Sequence, residues 1–140
     1  MNVRIVVDGL DHPECVTVDR EGNLFCGGEA GQIYSLSDHD SSAEVLSTRG
    51  GLILGLCVNG NGTIYACDAS GGELYARKAD GKIESISRGT PNRTMQIPNY
   101  PVLDNEGNIY VSDSGAWPGG GGCIYKILPD GKTVVWSEAA

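Results

Sequence analysis

Apolar positions in this chain come in short runs separated by glycine-bearing turns, and no segment shows a long helical period. Three stretches align: Asp19-Arg20-Glu21-Gly22-Asn23-Leu24-Phe25, Asn59-Gly60-Asn61-Gly62-Thr63-Ile64-Tyr65 and Asp104-Asn105-Glu106-Gly107-Asn108-Ile109-Tyr110. Each is an acidic or amide residue, a turn ending in glycine, then a β-branched or aromatic run. The glycines lie 40 and 45 residues apart. A second run follows each: Gln32-Ile33-Tyr34-Ser35-Leu36, Glu73-Leu74-Tyr75-Ala76-Arg77 and Cys123-Ile124-Tyr125-Lys126-Ile127. The last two lead into Ala79-Asp80-Gly81-Lys82 and Pro129-Asp130-Gly131-Lys132, where Asp-Gly supplies a hairpin turn. Glu44–Thr48, Ile83–Ser87 and Thr133–Ser137 provide an outer strand each, and for the first of these a strand fits better than a short helix over Ser41–Leu46.

Each repeat thus predicts four short antiparallel strands, and a four-stranded repeat of about 40–45 residues is a β-propeller blade. The predicted fold class is all-β, with three blades at about 9–48, 49–88 and 89–137 in one domain, 1–140. In the first inner strand Glu14, Val16 and Val18 face one way and Cys15 and Thr17 the other. Closed propellers have roughly 4–8 blades, so three repeats predict half of a six-bladed ring. Val3–Val7 is a surplus strand ahead of the first inner strand. It is expected to close a ring by joining a last-blade strand, in competition with Thr133–Ser137. An open half leaves two broad apolar faces uncovered, more than a soluble monomer usually shows. The expected partner is therefore a second copy, in a two-fold homodimer.

Composition narrows the function. The 140 residues carry 18 acids against 10 bases, a net charge of -8, which argues against nucleic acid and suits a cation or a neutral ligand. No apolar run approaches the ~20 residues of a spanning helix. Met1–Asp8 lacks the apolar core of a signal peptide, so a cytoplasmic protein without membrane attachment is expected. The five cysteines are odd in number and without C-x-x-C spacing, which fits reduced, buried thiols better than disulfides or a zinc knuckle. Two Asn-x-Thr sequons, at Asn61 and Asn92, are read as chance matches.

Aligning Asp19 with Asp104 brings Pro13-Glu14 onto Pro98-Asn99, with Leu54 at the same place in the middle repeat. This position opens the innermost strand, which lines a propeller's central channel. Two readings stand: a capped strand start or Asx turn, and a hard-cation site, because carboxylate and amide oxygens suit calcium or magnesium. Two ligands are too few for a site, so further oxygens must come from elsewhere.

The run from Pro98-Asn99-Tyr100-Pro101 through Asp104-Asn105-Glu106-Gly107-Asn108 to Ser112-Asp113-Ser114-Gly115, with Gly9-Leu10-Asp11-His12-Pro13-Glu14 at the opening, resembles the senescence-marker-protein/gluconolactonase (strictosidine-synthase-like) family. The resemblance covers the first half of that family's length. It implies a six-bladed propeller and, in many members, lactone hydrolysis with a divalent metal in the channel. It places the family's first-blade metal glutamate at Glu14, and the third-blade asparagine beside metal and substrate at Asn99. The family's other ligands, an asparagine and an aspartate that also serves as base, belong to the second half and have no counterpart here.

Weaker signals complete the reading. His12, near Glu14, is either a substrate contact or a surface-loop histidine, and Trp117 either stacks on a ligand or packs across the channel mouth. Asp113 is either a ligand or a turn-closing residue. Gly119–Gly122 is a hairpin tip or channel-mouth lid, since no helix with Lys-Ser/Thr follows as a phosphate loop requires. Gly131-Lys132-Thr133 lacks the glycine that a P-loop needs where Lys126 stands. No serine sits in a nucleophile elbow, and no catalytic residue is assigned. The expected function is half of a lactonase-like propeller that pairs into a ring with a cation or small-molecule site. The alternative is a metal-dependent lactone hydrolase, active only when the second half is supplied.

Overall fold

The glycine-ended turns are built by their leading side chains. Asp19 Oδ1 accepts hydrogen bonds from the backbone N–H of Glu21 (3.0 Å) and Asn23 (2.8 Å). Asn59 does the same for Asn61 and Thr63, and Asp104 for Glu106 and Asn108. The closing glycines, Gly22, Gly62 and Gly107, have φ of 90°, 73° and 84°, a left-handed conformation that glycine adopts without steric cost.

In the computed structural model these turns organise three four-stranded antiparallel sheets and a short two-stranded ribbon, with no helix among the described residues. The structure describes residues 2–37, 39 and 41–138; Met1, Asp38, Asp40, Ala139 and Ala140 of the 1–140 domain lie outside the described residues. The first sheet is β1 (Thr17–Val18), β2 (Leu24–Gly27), β3 (Gln32–Ser37) and β4 (Ser42–Thr48). The second is β5 (Ile53–Val58), β6 (Ile64–Asp68), β7 (Glu73–Arg77) and β8 (Ile83–Ser87). The ribbon pairs β9 (Gly89–Thr90) with β10 (Arg93–Thr94). The third sheet is β11 (Pro98–Leu103), β12 (Ile109–Asp113), β13 (Cys123–Ile127) and β14 (Thr133–Ser137). Strand order follows chain order in every four-stranded sheet.

Two apolar layers join the sheets. Ile33, Ile53, Leu56, Ile64, Ala66 and Tyr75, with Phe25 and Leu46, form the layer between first and second. Cys67, Leu74, Ile109, Val111, Tyr125 and Ile127, with Tyr65 and Ile86, form the layer between second and third. A bulge interrupts the pairing of third and fourth strands in each sheet, and the extra residue is Leu46, Ile86 and Trp136 in turn.

Between the first two sheets lies a charged cluster. The carboxylate of Glu73, 2% exposed, meets Arg49 at 2.6 Å and Arg88 at 2.9 Å and accepts a hydrogen bond from Ser85 Oγ at 2.8 Å. The Arg49 guanidinium stands 4.8 Å from the centre of the buried Tyr75 ring.

Three details depart from the sequence reading. Regular pairing in the first inner strand shrinks to Thr17–Val18, with Cys15 packed against the layer shared with the second sheet. The fourth strand of the first sheet starts at Ser42, two residues ahead of the expected Glu44. Val3–Val7, expected as a closing strand, forms no strand within the single chain. Ile5, Val6 and Val7 lie beside Cys26 and Leu36 of the first sheet, whereas the expectation is a last-blade strand of a partner chain, where they compete with β14. No helix among the described residues is long and apolar enough to cross a membrane.

Candidate site at the start of the inner strands

The inner strands draw together where the repeats begin. At Gly55 a Cβ would lie 2.3 Å from the Asn99 carbonyl oxygen and 2.8 Å from Tyr100 Cα, so only glycine lets β5 and β11 approach this closely. The Tyr100 hydroxyl is shifted to higher pKa by burial, and then by the thiols of Cys15 and Cys57. The Tyr100 ring, on the third sheet, lies against Gly55 of the second. Sequence reasoning passed over Tyr100; its signal was the glycine opposite, at Gly55.

Glu14 and Asn99 both have exposed side chains; Asn99 is the second residue of β11, whereas Glu14 lies ahead of β1, beside Ile5, Val6 and Val7. Asn99 Nδ2 donates to Ser114 Oγ at 3.2 Å, and its side-chain carbonyl oxygen has no protein partner among the described residues. Tyr100 N–H donates to Ser112 Oγ at 3.2 Å, which fixes the bulge at Pro98/Tyr100 that turns Asn99 outward. Leu54 is half-buried between these positions in sequence order and offers no oxygen beyond its backbone. Among the described residues no three His, Cys, Asp or Glu side chains come together to hold a metal ion.

His12 pairs with an acid that sequence reasoning did not single out. Its Nδ1 is 2.8 Å from Glu29 Oε2, and its backbone is left-handed at φ 44°. The Glu29 hydrogen bond raises the His12 pKa above its ordinary value, with the charges of Glu29, Glu14 and Asp11 adding to it. Asp11 holds the loop in place: its Oδ2 accepts from Ala30 N–H at 3.0 Å and Gln32 Nε2 at 2.9 Å.

Asp113 closes a turn. Its carboxylate accepts from the backbone N–H of Gln96 (2.7 Å), Ile97 (3.1 Å) and Gly115 (2.7 Å). Trp117 stands at the tip of the glycine-rich loop, 87% exposed, ahead of a cis bond to Pro118. Arg93 anchors the far leg of that loop by donating to the carbonyls of Gly121 and Gly122. The five cysteines are all free, and burial pushes the Cys26 thiol up to about 11 and Cys57 to about 12, which leaves them protonated and unreactive at neutral pH.

No protein-family model and no curated protein matches the sequence. Solved structures do match the fold. A structural-genomics protein assigned to the gluconolactonases superposes over 97% of this chain and 52% of its own, with a TM-score of 0.80 at 21% identity. A gluconolactonase from Xanthomonas campestris superposes over 95% of this chain and 50% of its own, with a TM-score of 0.80 at 16% identity. A catalytically inactive virginiamycin B lyase from Staphylococcus aureus, solved with quinupristin, gives 95% and 43%, with a TM-score of 0.72 at 16% identity. The chain therefore has the all-β, propeller-like fold of the gluconolactonases and spans about half the length of those structures.

Proposed function

We propose that this chain is half of a lactonase-like propeller, which a second copy completes to a six-bladed ring with a divalent-cation site in its central channel. The observation that carries the reading is the pair Glu14 and Asn99. The repeat alignment puts them at matching positions, both side chains are exposed, and the Asn99 side-chain oxygen has no protein partner among the described residues. One chain provides a carboxylate and an amide; two provide two of each, a donor set suited to calcium or magnesium. His12 and Trp117 flank the channel as contacts for a small ligand.

Lactone hydrolysis needs more than this set. Both carboxylates are engaged as cation ligands, Leu54 stands where the middle repeat would supply a third group, and no free base remains. Binding without efficient turnover is the expected behaviour. The fold shared with gluconolactonases and the half-length match favour a second reading, a lactone hydrolase active once a different second half is supplied.

Calcium titration by calorimetry tests the site. The wild type binds, and Glu14→Gln, which removes two charges per ring, abolishes binding. Unchanged affinity in the variant refutes the site, and rapid turnover of a simple sugar lactone by the wild type alone refutes the assignment as a binding module.

A further inference from the structure

The three outer strands carry one repeated device. The bulge residue of β4, Leu46, packs into the layer against the second sheet, where it joins the fully buried Tyr75. The bulge residue of β8, Ile86, packs into the layer against the third sheet, which contains the fully buried Tyr125. In each case an apolar knob from one sheet meets a layer floored by the tyrosine of the next. The bulge residue of β14 is Trp136, which is 59% exposed and meets the Tyr110 ring of its own sheet edge-on at 5.3 Å. It is a knob with no following sheet among the described residues.

The first sheet carries the matching floor. Tyr34 pairs across the strands with Cys26 and Val45, as Tyr75 pairs with Ala66 and Ser85 and as Tyr125 pairs with Val111 and Val135. Val45 is 51% exposed, while Ile5, Val6 and Val7 cover part of the same face and border an open groove of about 430 Å³ with Val16, Cys26 and Leu36. The corresponding wedge between the second and third sheets is lined by Ser85 and Ile86 of β8 together with Ile109 and Ile127. Residues 5–7 thus stand where an outer strand of a preceding sheet belongs. They hold that place loosely: they form no strand, and Val3 and Ile5 are largely exposed.

We propose that β14 of a second copy takes this place, with its Trp136 seated over Tyr34 and residues 3–7 displaced. The proposal rests on the pairing stated above and adds the two surfaces and the segment that competes for one of them. A second copy is the occupant because its third sheet continues the knob-and-floor series. The chain also spans 52% and 50% of the two gluconolactonase structures, so two copies supply that length. The contact joins the third sheet of one chain to the first sheet of the other, and a two-fold axis makes it twice.

Sedimentation equilibrium tests this on the full chain, with circular dichroism confirming that each variant is folded. Trp136→Lys raises the dissociation constant about thirtyfold or more, the effect of losing a central anchor. Val45→Lys, on the opposite face, weakens association as well. An equimolar mixture of the two variants recovers association, because one contact in the mixed pair keeps both native faces. Val7→Asp loosens the covering segment and tightens association. A wild type that stays monomeric at high micromolar concentration overturns both the proposal and the pairing. A dimer indifferent to Trp136→Lys, or a mixture that fails to recover, overturns the surfaces alone. Weaker association in Val7→Asp overturns the displacement and makes residues 3–7 part of the contact.

Discussion

Replacing Glu73 with alanine is the most informative test of how the first two sheets are held. The carboxylate is 2% exposed and is met by two guanidiniums, at 2.6 and 2.9 Å, and by a serine hydroxyl at 2.8 Å. Removing one member of a buried ion pair typically costs 3–5 kcal/mol, because the partner is left charged and poorly solvated. Here the partners soften the loss unequally. Arg88 is 60% exposed and rehydrates readily, whereas Arg49 is 32% exposed and stacked on Tyr75. The expected cost is therefore near the lower bound, about 3 kcal/mol. With a urea slope of about 2 kcal/mol/M, the unfolding midpoint falls by about 1.5 M at fixed protein concentration. The same exposures rank the arginines, so Arg49→Ala costs more than Arg88→Ala. Urea unfolding followed by circular dichroism measures all three. A midpoint change under about 0.5 M for Glu73→Ala, or Arg88→Ala costing more than Arg49→Ala, refutes the reasoning.

Two further outcomes follow from the same geometry. Gly55→Ala puts a methyl group 2.3 Å from a backbone oxygen of the neighbouring sheet and is expected to lower stability by about 2 kcal/mol in urea unfolding and to weaken calcium binding through displacement of Asn99; a neutral effect on both counts against the close approach. Asp19 and Asp104 have pKa values lowered first by the side-chain bonds from Asn23 and Asn108, so their stabilising effect is present above the unfolded value of about 3.9 and is lost as pH falls through the folded values. The double variant Asp19→Asn/Asp104→Asn should show a shallower acid limb in a stability-versus-pH series, and an unchanged limb contradicts this.

Much of the fold was legible because it is local. The Asp19, Asn59 and Asp104 turns close within five residues, and Ile83–Ser87 and Thr133–Ser137 form strands at the expected bounds. What escaped is non-local or depends on an inserted residue. The β9–β10 ribbon spans only Gly89–Thr94, too short for a periodic signal, and is fastened by the Tyr125 hydroxyl, whose one proton is shared between the carbonyls of Arg93 and Thr94. Glu73 reads as an ordinary polar strand position until sheet packing buries it between Arg49 and Arg88. Val3–Val7 has the composition of a strand but pairs with no strand among the described residues, and composition cannot supply a partner. At the candidate site, alignment of the repeats puts Glu14 and Asn99 at matching positions, and both side chains are exposed. The pairing of His12 with Glu29 and the contact of Tyr100 with Gly55 required three-dimensional approach.

Because strand order follows chain order in every sheet, the molecule can be assembled in the direction in which it is synthesised. The hairpins of the first sheet need nothing that comes later in the chain, but its apolar side is sealed only when the second sheet emerges, and the second waits likewise for the third. Ribosomal elongation, at about 5–20 residues per second, is slow enough for each sheet to close on its predecessor before the next appears. Folding then proceeds as a series of nearest-neighbour additions. A nascent chain paused after the second sheet would expose the side of that sheet centred on Cys67 and Leu74, an interval of synthesis in which a chaperone could shield it.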